Sequence, residues 1–225
     1  LISSFFKKNF VNKFIKEKKI DEDLNKIHNF VKPKSLNEFR ISLFNKFNES
    51  EKLKKSYFNL ATSLIENIVG NELAMQKRIN ISIQLPNDKS SLLPLHSDTW
   101  SGDSPFEVVL WLPLVDCYQT KSFYLVNAKN TKMLLTQYKE NKFESWDDFK
   151  MEAISLATHL EIQFGQILGF WSGLLHGSLI NNTNESRFSY NMRFKNLYAP
   201  SGLKDPLVFY EPFKISKLTE YAIDI

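Results

Sequence analysis

The sequence predicts an α+β protein, with helices in its first third and a barrel or jelly roll of short strands in its second half. Three observations predict it. Apolar residues recur at helical spacing up to about residue 70, and from about residue 78 the period falls to two. The short strands are bounded by Gly, Pro and Asn turns, and no regular strand–helix alternation of the kind that builds a doubly wound parallel sheet follows.

The elements follow in order. Ile2, Phe6, Phe10 and Phe14 recur every four residues with lysines opposite, an amphipathic helix suited to packing on the domain or to meeting a partner or membrane surface. "SLNEFRISLFNKF" opens with a Ser-x-x-Glu capping box at Ser35, and "SEKLKKSYFNLATSLIENIVG" runs as one helix to Gly70. "RINISIQL" alternates polar and apolar residues and stops at Pro86-Asn87-Asp88, a strand entering a turn. "FEVVLWLPLV", "SFYLV" and "EIQFGQILGFW" are further β-rich runs, and "RFSYNMRF" alternates again. Residues 128–160 read as a helical insertion between strands, packed down by Trp146. The expected organisation is one domain over 1–225: a helical part (1–75), a strand core (76–200) holding the 128–160 insertion, and a C-terminal extension (201–225).

Composition limits the function. A chain of 225 residues with 43% apolar and 24% charged residues can form one substantial core. The net charge of +4 comes from lysines interleaved with acids, as in "IKEKKIDEDLNK", without the arginine-rich stripe of a nucleic-acid footprint, so no nucleic acid is expected. A lone cysteine, Cys117, excludes an internal disulfide and a cysteine zinc cluster and points to a reducing, cytoplasmic setting. No apolar run reaches the roughly 18 residues that cross a bilayer, and the N-terminal stretch lacks the apolar core and cleavage site of a signal peptide.

Chemistry concentrates in "LPLHSDTW". On a strand, side chains at i and i+2 share a face, so His96 and Asp98 can aim an imidazole and a carboxylate at one point. A third ligand must come from elsewhere. His28 and His159 lie in helical surroundings, whereas His176 follows a strand and a Ser-Gly turn, and Gly177 beside it lets the backbone approach another group closely. Two histidines and a carboxylate on a β framework form the facial triad of non-haem Fe(II) sites, which leaves three positions open. The same set suits a zinc hydrolase, and as a bland alternative His96 and Asp98 form a hydrogen-bonded strand edge, His176 sits in the core and Arg187 pairs with Glu185. Ten residues separate His176 from Arg187-Phe188-Ser189, whose guanidinium fork and hydroxyl share a strand face and can cradle a carboxylate.

His96-x-Asp98, then His176, then Arg187-x-Ser189 resembles the pattern of Fe(II)/2-oxoglutarate-dependent oxygenases. "HSDTWSGDSPFEVVLWLPLVD" and "FGQILGFWSGLLHGS" are similar to the phytanoyl-CoA dioxygenase-like branch, and "NELAMQKRINISIQLPND" to the StrG-like oxygenases of carbohydrate and antibiotic-sugar gene clusters. The resemblance covers roughly residues 76–197. Gln166 stands where an acid is common, and "SFYLVNAKN" replaces a Gly-Ser-His turn, so the substrate-side loop does not carry over.

The resemblance implies a double-stranded β-helix (jelly roll) with N-terminal helices packed on it. It implies that His96, Asp98 and His176 hold Fe(II) and that Arg187 and Ser189 bind 2-oxoglutarate, with Asn80 and Gln84 nearby on the polar face of their strand. The reaction consumes O2, converts 2-oxoglutarate to succinate and CO2, and hydroxylates a small molecule such as a sugar or sugar-containing biosynthetic intermediate. Related halogenases replace the carboxylate with a small residue, so Asp98 favours hydroxylation or another oxidative step. Trp100 is a candidate pocket wall. Arg193, six residues after Arg187, is placed to meet substrate or cosubstrate or to form a surface salt bridge. A non-enzymatic carbohydrate-binding jelly roll is the third alternative; the sequence leaves the oligomeric state open.

Overall fold

The computed structural model describes residues 24–206 and 208–223, so the amphipathic segment around Phe6, Phe10 and Phe14 lies outside the described residues. After a 3-10 turn at Leu24–Asn29 come helices α1 (Pro33–Asn48), α2 (Glu51–Asn59) and α3 (Thr62–Val69). Strands β1 (Leu73–Gln76), β2 (Asn80–Gln84), β3 (Val108–Pro113) and β4 (Tyr124–Leu125) follow. Helices α4 (Ala128–Lys139) and α5 (Trp146–Ser155) form the insertion. The chain then continues through β5 (Thr158–His159), β6 (Leu168–Trp171), β7 (His176–Gly177), β8 (Arg187–Asn196), β9 (Tyr210–Lys214) and α6 (Lys217–Ile223).

The result is a mixed α/β architecture with two antiparallel sheets. One has the order β6-β3-β8-β1-β9, with β2 also paired to β8; the other has the order β5-β4-β7. Backbone bonds between His96 and His176, one in each direction at 2.9 Å, attach the loop before β3 to β7.

Strand β8 organises the core through its period of two. Phe188, Tyr190, Met192 and Phe194 are all buried on one face, where Phe39 meets Phe188 edge-on, Phe47 stacks on Tyr190 at 4.2 Å and Phe58 packs on Phe194. The helices α1 and α2 therefore cover this face of the sheet. The alternate residues Arg187, Ser189, Asn191 and Arg193 point to the other face. In register with them stand Gln84, Ser82 and Asn80 of β2 and Pro113, Trp111 and Val109 of β3. One strand thus carries an apolar face for the helices and a polar row for the site.

Several expected boundaries differ. Helix α1 begins at Pro33, which takes a first-turn position that needs no amide hydrogen, and Ser35 Oγ donates to Lys32 O instead of capping the helix. The second expected helix is two, and at the junction Thr62 Oγ1 donates to Phe58 O, the carbonyl its own amide would meet in a continuous helix. Ser50 caps the first of them through Leu53 N, and Gly70, with φ of +97°, ends the second. The main sheet extends beyond residues 76–200 at both ends, since β1 at 73–76 pairs with both β8 and β9. Pro212 fits β9 because that strand is an edge. In the insertion, Phe149 is fully buried against Tyr138, Phe143 and Trp146, while Trp146 is 45% exposed; Phe149, not Trp146, is the packing anchor.

Candidate active site

His96, Asp98 and His176 come together. One potential ligand atom from each lies within 4.8 Å of the others, and His96 Nε2 and His176 Nε2 are 3.5 and 3.8 Å from Asp98 Oδ1. The backbone explains the convergence. The paired amides of His96 and His176 bring the two rings to 4.2 Å, and Asp98 N donates to Ser172 O, which turns the chain into a 3-10 turn (Asp98–Ser101). Gly177 makes the close approach: a Cβ there would meet the Tyr124 hydroxyl, the ring carbon bearing it at 2.8 Å, and Leu93 O at 3.0 Å.

Both imidazoles have a fixed tautomer. Nδ1 of His96 lies 2.9 Å from Pro94 O, and Nδ1 of His176 lies 2.8 Å from Leu174 O. A carbonyl only accepts, so each Nδ1 carries the hydrogen and each Nε2 lone pair turns toward Asp98. Burial, with help from His96, pushes the His176 pKa down to about 4, so this imidazole is neutral near pH 7 as a metal ligand must be. Although Asp98 is buried, the neighbouring His96 and the charge of Arg193 hold its carboxyl down at about 2. Two imidazole nitrogens and one ionised carboxylate fit a divalent cation with N and O ligand preference.

A second polar site lies on the same face of β8. Arg187 is 4% exposed; its Nη2 donates to Ser82 Oγ at 3.1 Å, while Nε and Nη1 have no partner among the described residues. Ser189 Oγ is likewise buried without a partner. Glu185, two residues away, is engaged by Lys121 at 2.7 Å and Tyr118 at 2.9 Å, so the Arg187–Glu185 pair does not form. Buried, unpaired donors of this kind are costly, and three of them together fit an anionic oxygen ligand. Gln84, paired with Arg187 in register, donates from Nε2 to Leu179 O at 2.6 Å, and its Oε1 is buried without a partner among the described residues. Asn80 faces Asn191 in register, further along β2. Cys117 is buried and its thiol is pushed up to about 11 by that burial, so it stays protonated.

Arg193 lies inside, not at the surface. Its Nη2 is 2.9 Å from Asp98 Oδ1, Nη1 donates to Gln76 Oε1 at 3.2 Å, and Nε is 3.6 Å from Asp103 and 3.8 Å from Glu107. Gln76, Asp103 and Glu107 have no motif in the sequence; the chain carries many acids, and only the fold selects these. Trp100 is 47% exposed on the 3-10 turn and meets Trp146 of the insertion edge-on.

No family model and no curated protein matches this sequence. Solved structures do. The chain shares its fold with HygX. The iron-bound HygX from Streptomyces hygroscopicus is 13% identical over 75% of this chain and 80% of that one, with a TM-score of 0.51. HygX with nickel and 2-oxoglutarate bound gives the same identity, coverage and TM-score. A nickel complex of the non-heme monooxygenase ThoJ is 14% identical over 72% of this chain, with a TM-score of 0.46; the chain spans 64% of the ThoJ length.

Proposed function

We propose that this chain is a non-haem Fe(II)/2-oxoglutarate-dependent oxygenase that hydroxylates a small molecule such as a sugar or sugar-containing intermediate. In this reading its two sheets are the walls of a double-stranded β-helix in a single oxygenase domain. The observation that carries it is the set of unpartnered buried donors, Arg187 Nε, Arg187 Nη1 and Ser189 Oγ, on the strand face that also bears the Arg193–Asp98 contact. A zinc hydrolase has no use for a second carboxylate clamp. The binding of iron, and of nickel with 2-oxoglutarate, by the fold relative HygX supports the same assignment.

His96 Nε2, Asp98 Oδ1 and His176 Nε2 would hold the metal, which when bound with the cosubstrate and O2 supplies the oxidising power for hydroxylation. The chain's own residues do the positioning. The Pro94 and Leu174 carbonyls fix the two rings, Arg187 with Ser189 takes the distal carboxylate, and Phe123 and Phe170, with ring centroids 6.2 and 5.2 Å from His176, exclude water from one side. Trp100 stands at the exposed margin, where a substrate surface would meet it.

Anaerobic titration with Fe(II) and 2-oxoglutarate tests this. A weak visible charge-transfer band is expected only when both are present. Iron uptake without that band on adding 2-oxoglutarate would remove the cosubstrate from the reading.

A further inference from the structure

Four rows of residues cross the polar face of β8 in register. Gln84 stands against Arg187, Ser82 and Pro113 flank Ser189, Asn80 and Trp111 flank Asn191, and Val109 stands against Arg193. The first two rows carry the unpartnered donors of Arg187 and Ser189, and the last carries the arginine that reaches Asp98 Oδ1 at 2.9 Å. Neighbouring rows are about 7 Å apart, two residues of an extended strand. Asn191 therefore stands between the carboxylate cradle and the residue that touches a candidate ligand.

Its row also leads to another ligand. Trp111 meets Phe123 edge-on with ring centroids 5.0 Å apart, and the Phe123 ring lies 6.2 Å from that of His176. A five-carbon dicarboxylate held at one end by Arg187 and Ser189 and at the other by a metal on His96, Asp98 and His176 has to cross this row. The protein itself makes no use of the amide there: Asn191 Oδ1 is buried and has no hydrogen-bond partner among the described residues. Such an orphaned group costs stability unless a ligand or water meets it. A half-turn about Cβ–Cγ exchanges the oxygen for Nδ2 and its two hydrogens, so the partner that arrives decides which end is presented. An anionic oxygen selects the donor end. Trp111 and Ser189 beside Asn191 are buried, whereas Trp100 at the margin where substrate would enter is exposed, which favours the cosubstrate as that partner.

We propose that Asn191 is a cosubstrate-binding residue whose Nδ2 donates to the metal-proximal carboxylate of the 2-oxo acid, at the end opposite to the one Arg187 holds. This rests on the reading of the site as a metal and 2-oxoglutarate centre.

Anaerobic titration of the Co(II)-loaded full chain with two probes, followed by the Co(II) visible spectrum, tests it. 2-Oxoglutarate has both ends; 2-oxobutyrate lacks the distal carboxylate and keeps the 2-oxo acid. Asn191→Leu is expected to take up Co(II) with wild-type affinity and to bind both probes about tenfold more weakly, the worth of one hydrogen bond to a charged group. Arg187→Met is expected to lose affinity for 2-oxoglutarate alone. Wild-type affinity of Asn191→Leu for both probes overturns the proposal. A loss confined to 2-oxoglutarate places Asn191 at the far carboxylate and overturns it as well, and so does a loss of Co(II) uptake, which assigns Asn191 to the metal centre. A wild-type protein that takes up Co(II) and binds neither probe overturns the cosubstrate reading, and the proposal with it. If Asn191→Leu does not fold, the smaller Asn191→Ala carries the same expectation, and unchanged affinity for both probes overturns the proposal.

Discussion

Trp100, on the turn that begins at Asp98, meets Trp146 edge-on with ring centroids 5.8 Å apart, and this contact joins the loop of the candidate metal centre to the helical insertion. Trp146 in turn touches Tyr138 and Phe149, so the contact continues into the packed interior of the α4–α5 pair. Trp146 and Phe149 differ in burial, and substitutions at them should differ accordingly.

Phe149→Ala removes a fully buried ring from the smaller core formed with Leu134 and Ala153, and should destabilise the protein by about 3–5 kcal/mol. Trp146→Ala removes a half-exposed ring and should cost about 1 kcal/mol. Urea denaturation of both variants checks the ratio; equal losses would contradict Phe149 as the anchor.

Arg187 carries a buried charge with two nitrogens that have no partner among the described residues, an arrangement poor for stability and suited to a ligand. Arg187→Met should therefore leave the unliganded protein as stable as wild type, or more stable by about 1–3 kcal/mol. The same change should weaken 2-oxoglutarate binding by about a hundredfold, the loss of charge-assisted hydrogen bonds, and leave Co(II) binding intact. Thermal unfolding with and without 2-oxoglutarate reads both effects: the cosubstrate raises the wild-type Tm and leaves that of the variant unchanged.

Two buried groups oppose each other on acidification. His176 has its folded pKa lowered to about 4, so its contribution is fully present above the ordinary histidine value of 6.5 and is lost as pH falls from there to about 4. Burial raises Glu107 to about 7, so the stability linked to it is present below 4.5 and lost as pH rises from 4.5 to about 7. Between pH 6.5 and 4.5 the two slopes, each up to about 1.4 kcal/mol per pH unit, have opposite signs. Metal-free wild-type protein should show a flat stability profile there, and Glu107→Gln should lose stability steadily as the pH falls. A variant profile as flat as wild type would rule out the opposition.

Gly177→Ala would press a methyl group against the Tyr124 ring and Leu93 O, next to the candidate ligand His176. A cost of about 1–3 kcal/mol is expected, together with weaker Co(II) binding. Tyr124→Phe removes the hydroxyl, the nearest of three obstructing atoms, and should restore part of both losses. A double variant no better than Gly177→Ala alone would place the obstruction at the ring carbon that Phe retains or at Leu93 O.

Much of this arrangement is legible in the sequence because strand periodicity is local. The alternation of "RFSYNMRF" separates Phe188, Tyr190, Met192 and Phe194 from Arg187, Ser189, Asn191 and Arg193 before any contact is known. His96 and Asp98 stand two apart for the same kind of reason, although their geometry also needs the turn that begins at Asp98 and the bridge to His176. Contacts that depend on long-range closure leave no such trace. Strand β1 is four buried residues with no alternation, β9 contains Pro212, and neither shows a strand period. The environment of Arg193 is illegible for the same reason: Gln76, Asp103, Glu107 and Tyr210 come from separate segments, and only the sheet order makes them neighbours.

The loop carrying His96 and Asp98 is bound by residues made about a hundred positions later. Leu203 N donates to Gly102 O, Ser104 Oγ donates to Pro200 O, and Tyr210 closes on Glu107. On a ribosome, therefore, a nascent chain that already contains all three candidate ligands still lacks the clamp that shapes their loop. The bridge of His96 to His176 and the bond from Asp98 N to Ser172 O need nothing made after residue 176, so it is the 102–107 end of the loop that waits for residues 200–210.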